Sequence, residues 1–366
     1  MASLIRLFSC LLLLGLTHCQ PPLPTYQLQP QAGFEATALD LIYAQGQHFP
    51  PGTQLALAWV KADEVAYYGV AVEETALVPA DHQRSLFEIA SITKVFTATL
   101  LSQAAISGQI DLDEPIATYL PFELYQGQAI SSRQLANHTS GLPALSPELA
   151  REALLHPDNP YQAYHQAKLV RHLRDRMRLN PTPGEVYRYS NLGYGTLGYV
   201  LESALGQSYA SLLQEQILDP LGMTRTYASW RQASESLIPG FNRYGEPTAK
   251  FDMAALAPAG SMVSSVEDLV RFVQWQFEAD EALQLAQTPT FSLSPTEGVA
   301  LGWHLRQRPS SGPTFLWHNG GTVGASACLA IDLSRQHAVV LLSNLSAFHP
   351  ERSRIDELCF QLLSHR

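Results

Sequence analysis

A chain of 366 residues, 46% of them hydrophobic, is long enough to bury a large core and too apolar to remain disordered. Its net charge of −10, with no block of like charge, excludes the basic face that nucleic acid requires. No Cys-x-x-Cys, His-Glu-x-x-His or clustered Cys/His spacing occurs, so neither a metal nor another cofactor is expected.

Residues 1–19 carry one positive charge, Arg6, and then an apolar run from Leu11 to Leu16. That run is shorter than the roughly 20 residues of a membrane-spanning helix and fits the apolar centre of an export signal. Three fates remain open: cleavage after Cys19, lipidation of Cys19 in the lipobox-like Leu16-Thr17-His18-Cys19, or retention as an anchor. An exported protein is expected, touching membrane only through a lipid on Cys19. Without the signal, Cys328 and Cys359 are left, too few for a disulfide framework; buried free thiols are the simpler expectation.

Residues 20–33 are rich in Pro and Gln and read as a linker. Phe34–Gln45 has helical spacing, and Gln54–Val60 with Glu64–Ala71 reads as an antiparallel hairpin. Ile92–Ile106 reads as a mostly buried helix ended by Ser107-Gly108. Helical patterns then dominate, at Tyr161–Arg178, Leu192–Leu205 and Tyr209–Ile217, separated by Pro and Gly breakers. Ser265-x-x-Asp268 resembles a capping box that opens a helix over Val266–Phe277. Strands return at Leu301–Leu305, Thr314–His318, Ala325–Asp332 and Ala338–Ser343, before an amphipathic helix over Ile355–Leu363. The expected fold class is α+β: an antiparallel sheet flanked by helices, with an inserted all-helical region. One catalytic domain would run over 34–366. Its α/β part covers about 34–112 and 252–366 and its helical part about 113–251, with the active site in the cleft between them.

Three local patterns carry chemistry. Ser91-Ile92-Thr93-Lys94 places a hydroxyl and an amine one turn apart on one helix face. Serine needs a partner to take its proton, and a lysine among apolar neighbours has a disfavoured charge and can be that partner. Of the chain's four lysines, only Lys94 has a serine or threonine three places earlier. Tyr189-Ser190-Asn191 projects a phenol and an amide to the same side of an extended segment, although tyrosines before helices commonly serve packing and Asn191 fits an N-cap. His318-Asn319-Gly320-Gly321 ends a strand with glycines that let a substrate approach the backbone, although a histidine before such a turn is often structural.

In this order the three motifs resemble the signature of the penicillin-recognising serine enzymes. Further segments are similar to the class C β-lactamase, D-peptidase and esterase branch: Asn137-His138-Thr139-Ser140-Gly141-Leu142, Pro183-Gly184 and Pro220-Leu221-Gly222-Met223. The resemblance extends from about Gln54 to Val340 and implies a β-lactamase/transpeptidase-like fold. It also implies that Ser91 is the nucleophile and that Lys94 and Tyr189 transfer protons. Asn191 and His318 would position the substrate, and Gly320 and Gly321 line the site, with the backbone N–H groups of Ser91 and Gly321 as the oxyanion hole. Which of Lys94 and Tyr189 is the resting base stays open at this point.

One departure matters. Class C β-lactamases carry lysine where this chain has His318, and a neutral histidine recognises a substrate carboxylate poorly. The second motif and deacylating glutamate of class A enzymes are missing, as is a Gly-x-Ser-x-Gly elbow, because Gly324-Ala325-Ser326-Ala327-Cys328 fails at its last position. The expected activity is therefore hydrolysis of an ester or amide in a small molecule or peptide through an acyl-enzyme. Esterase and D-amino-acid peptidase rank ahead of β-lactamase, and the competing reading is an inactive scaffold or binding protein.

Overall fold

In the segment Gln54–Lys61, Leu55, Leu57 and Trp59 point to one side and Ala56, Ala58 and Val60 to the other, and all six are buried. A strand covered on both faces must lie at the centre of a sheet with a layer on each side, and the computed structural model shows this arrangement. It describes residues 23–156, 159–233, 236–308, 312 and 314–365. The leader, with Cys10 and Cys19, lies outside the described residues.

The strands are β1 (Thr25–Tyr26), β2 (Gln54–Lys61), β3 (Glu64–Val72), β4 (Ala76–Pro79), β5 (Phe87–Glu88), β6 (Val263–Ser264), β7 (Phe291–Ser294), β8 (Glu297–Val299), β9 (His304–Gln307), β10 (Thr314–Gly321), β11 (Ser326–Asp332) and β12 (His337–Ser343). The helices are α1 (Ala36–Gly46), α2 (Thr93–Ile106), α3 (Ser132–Ala136), α4 (Pro147–Leu155), α5 (Gln166–Asp175), α6 (Asn191–Leu205), α7 (Tyr209–Leu213), α8 (Val266–Trp275), α9 (Glu281–Gln287) and α10 (Ser353–Ser364). The main sheet runs β1-β4-β3-β2-β12-β11-β10-β9-β8-β7, so strands from the two ends of the chain meet where β2 pairs with β12. Strands β5 and β6 pair separately.

The alternation seen in β2 continues across the sheet. Ala327, Leu329, Ile331, Ala338, Val340 and Leu342 face the core shared with α2, α8 and the helical region. Cys328, Ala330, Val339 and Leu341 face the terminal helices α1 and α10. On the first face α2 is buried without interruption from Thr93 to Ser102, and Phe96 stacks on Phe272 of α8 at 4.0 Å between ring centroids. Its polar residues Thr97, Thr99 and Ser102 are accommodated because each hydroxyl donates to a carbonyl one turn back.

The structure corrects several expectations. The sheet is mixed, because β1 runs parallel to β4. Residues 23–33 belong to the fold rather than to a free linker: Leu28 is buried and the Tyr68 hydroxyl donates to the Gln29 carbonyl. Helix α5 covers only Gln166–Asp175, since Tyr161–Tyr164 forms a turn that directs both rings inward. Tyr209–Leu213 passes into a π-helical turn at Gln214–Leu218. The strand expected over Leu301–Leu305 starts at His304 instead, because Gly302, at φ 77°, tucks against the Lys94 carbonyl. Ser265 caps α8, but Asp268 does not complete a capping box; its carboxylate accepts from Arg225 N–H and Thr226 Oγ1. Cys328 and Cys359, by contrast, are free and buried as expected.

Helix α6 lies against the turn Ala254–Ala259 with glycine at the contact. A β-carbon at Gly198 would stand 2.1 Å from Cγ of Pro258, whose ring cannot move aside. Helix propensity favours Gly198→Ala by about 1 kcal/mol, whereas overpacking costs about 1–3 kcal/mol. The rigid ring places this case at the upper end, so Gly198→Ala should lower stability by about 1–2 kcal/mol, measured by chemical denaturation.

Candidate active site

A short 3-10 turn, Ala90–Ile92, leads into α2 and presents Ser91 at the mouth of the cleft. Ala90 is held at φ 47°, a left-handed conformation that costs a non-glycine residue about 1–2 kcal/mol. Strain of this kind persists where surrounding structure over-determines it, and here β5 holds one end of the turn and α2 the other. Lys94, one helical turn on, is fully buried. Its Nζ lies 3.1 Å from Ser91 Oγ and donates to Asn191 Oδ1 at 2.8 Å and to the Ala259 carbonyl at 2.6 Å. All three oxygens are neutral, and burial pushes the amine well below the usual lysine range.

Tyr189 comes from the extended segment before α6, and its hydroxyl donates to Ser91 Oγ at 2.7 Å. Burial raises this phenol above the ordinary tyrosine value; the Ser91 hydrogen bond opposes the shift. Ser190, not Asn191, caps α6 by accepting from Gly193 N–H. Asn191 is thereby free to turn its amide to the site, where Oδ1 meets Lys94 and Nδ2 donates to the Tyr161 hydroxyl at 3.1 Å.

The end of β10 forms the opposite wall. A β-carbon at Gly320 would stand 2.3 Å from the Ile89 carbonyl oxygen and 3.1 Å from the Ser91 amide nitrogen, so only glycine lets this strand lie against the nucleophile's turn. Gly321 comes next, exposed to the cleft. His318 is buried, and its Nδ1–H donates to the Asn319 carbonyl at 2.6 Å. Its ring lies 6.5 Å from Tyr189 and 5.2 Å from His304. The residues singled out from the sequence, Ser91, Lys94, Tyr189, Asn191, His318, Gly320 and Gly321, are thus brought to one cleft.

A family model described as beta-lactamase matches residues 47–363. The chain belongs to the beta-lactamase family. A beta-lactamase of Providencia stuartii is 31% identical over 229 residues, 61% of this chain and 55% of that protein. Protein flp of Staphylococcus aureus (strain N315) is 26% identical over 76% of this chain and 57% of its own length, so the chain spans about half the length of the curated relatives it matches. Among solved structures, a beta-lactamase/D-alanine carboxypeptidase from Pseudomonas syringae superposes with a TM-score of 0.75 over 90% of this chain and 99% of that one at 21% identity, a likeness that establishes the fold.

Within this beta-lactamase fold the site includes residues that sequence reasoning did not single out. His138 accepts from Ser190 N–H at 3.1 Å and lies 4.4 Å from the Tyr189 ring. It stood inside a segment already noted, but nothing local to it indicated this contact. His304 stacks on Trp317 at 4.7 Å, brought there by the pairing of β9 with β10. Glu88 ties three walls together: its carboxylate accepts from Phe251 N–H at 2.8 Å and from Thr322 Oγ1 at 2.6 Å, three residues before Ser91. A lone carboxylate between Phe87 and Ile89 was the signal available for it.

Glu88→Ala would leave two largely buried donors without an acceptor, at about 1–3 kcal/mol each. Stability should fall by that order, and Ser91 acylation should slow as Thr322 and the Phe251 segment lose their tie to the nucleophile's turn. Denaturation and stopped-flow acylation measure the two effects.

The three histidines predict a second property. Burial lowers His138 and His318 well below the ordinary value and His304 to about 4. The unfolded chain takes up these protons near pH 6.5 while the fold resists them. Stability is therefore complete above about pH 6.5 and declines as pH falls toward 4, by about 1.4 kcal/mol per pH unit for each histidine that stays neutral. Denaturation at pH 7 and pH 5 should show this fall, and His304→Gln should make it shallower.

Proposed function

We propose that the protein is an exported serine hydrolase that cleaves an ester or amide through an acyl-enzyme on Ser91. The observation that carries this reading is the position of Ser91 Oγ, 3.1 Å from a buried amine and 2.7 Å from a phenol. An amine whose charge is disfavoured accepts the serine proton readily, which supports Lys94 as the base. The raised phenol retains its proton, which supports Tyr189 as the group that hands one to the leaving alcohol or amine. Asn191 and the Ala259 carbonyl hold the Lys94 amine in line.

In the first half-reaction, Lys94 takes the Ser91 proton while Oγ attacks the substrate carbonyl. The N–H groups of Ser91 and Gly321 receive the developing oxyanion, and one such donor is worth about 3–4 kcal/mol in related chemistry. The tetrahedral intermediate collapses as Tyr189 protonates the leaving group, and Lys94 returns the proton to Tyr189. In the second half-reaction a water replaces the leaving group and the same proton path runs in reverse, releasing the acid and restoring Ser91.

His318 decides among substrates. A buried neutral imidazole offers no fixed positive charge to a carboxylate, so uncharged esters and amides are favoured over β-lactams. Export rests on the apolar leader at residues 1–19.

The protein and its Ser91→Ala variant should be incubated with a fluorophosphonate and with a fluorescent penicillin, followed by intact-mass measurement. One fluorophosphonate adduct per chain is expected, absent from the variant, with penicillin labelling slower. Failure of both probes to label Ser91 would sink the hydrolase reading and favour a binding role.

A further inference from the structure

We infer that the cleft beside Ser91 holds a subsite for a bulky, apolar, uncharged acyl group, so that the preferred substrates are esters of medium-chain or aromatic acids. This inference rests on the hydrolase reading above and names the substrate class of that same site. A cavity of about 610 Å³ is bordered by Gly321 and Thr322 at the end of β10, one residue beyond the Gly320 that packs on the nucleophile's turn. Pockets of about 300–1,000 Å³ enclose drug-sized ligands, and an acetyl group would leave most of this one empty. Its walls include Leu145, Tyr161, Phe251 and Val323, while Tyr244 and Phe348 stand at its rim, 71% and 64% exposed.

Aromatic side chains so exposed beside a reactive serine form apolar surface that a bound substrate would cover. Among the described residues bordering this cavity, Arg243 is the one charged side chain, and its guanidinium lies 4.7 Å over the Tyr244 ring.

One feature assigns the cavity to the acyl side of the scissile bond. Gly321 supplies one N–H of the proposed oxyanion hole and also borders the cavity, so an acyl chain leaving the carbonyl carbon enters it directly. The walls also connect to the chemistry. The Tyr161 hydroxyl accepts from Asn191, which holds Lys94, and Tyr161 meets Phe251 edge-on at 5.6 Å between centroids. The Phe251 backbone is fixed in turn by Glu88. A chain that fills the cavity therefore presses on groups that position the amine.

The test is a series of p-nitrophenyl esters from acetate to octanoate, with ethyl and butyl hexanoates to vary the alcohol. A buried methylene contributes about fourfold in binding, so kcat/KM should rise by at least about tenfold from acetate to hexanoate and change by less than about twofold between ethyl and butyl hexanoate. Tyr244→Ala and Phe348→Ala, both at exposed positions, should cut the hexanoate-to-acetate ratio of kcat/KM by about threefold or more. A flat or falling acyl series, or a gain that follows the alcohol, would overturn the acyl subsite while the hydrolase reading stands on acetate turnover. No turnover of any ester, together with no fluorophosphonate adduct on Ser91, would overturn both.

Discussion

The amine of Lys94 sits where an ammonium ion is expensive to hold. Burying a charge without an opposite charge costs several kcal/mol, and the amine's surroundings here are three neutral oxygens and the faces of Tyr189 and Tyr194 at 4.7 and 5.4 Å. The rest of the cleft is shaped by meeting that constraint. Helix α2 must be covered on all sides to bury the residue, α6 must deliver Asn191, and the turn ending at Ala259 must deliver a carbonyl. Because these groups come from segments far apart in the chain, the helical region has to close on the sheet before the amine has its oxygens. Folding of the two parts and assembly of the site are in this sense one event.

Close approach is the second constraint. Gly320 permits β10 to lie against Ser91, Gly302 packs on the Lys94 carbonyl, and Gly195 and Gly198 let α6 meet the turn that supplies Ala259. Positive φ at Ala90, His138 and Ala254 puts backbone strain in three segments that build the same cleft. Strain held by well-packed neighbours keeps groups at fixed positions before substrate arrives, which is what an acyl-transfer site requires.

Local pattern made much of this legible. The β2–β3 hairpin comes from β-prone runs around a short polar link, and α2 from a mostly apolar stretch. Ser91, Lys94, Tyr189, Asn191 and His318 lay in short motifs whose order pointed to one family. What the sequence did not disclose depended on distant partners. Tyr161 left its expected helix because its ring and hydroxyl found partners near Asn191, a choice no local propensity encodes. His304 reached His318 only through strand pairing. Strands β7 and β8 span only four and three residues and are partly exposed, too short for a periodic pattern to announce them, so no strand was expected there.

The layering of the sheet has a consequence for how the molecule can be attached to anything else. Helices α1 and α10 pack together on one face of the sheet, with Thr37 Oγ1 and His365 Nε2 3.0 Å apart, while α2 and the nucleophile's turn occupy the other. Chain entering before α1 and chain leaving after α10 therefore both depart from the side turned away from the cleft. A tether, surface anchor or fused domain at either end would hold the molecule by its back and leave the mouth of the cleft facing the surroundings.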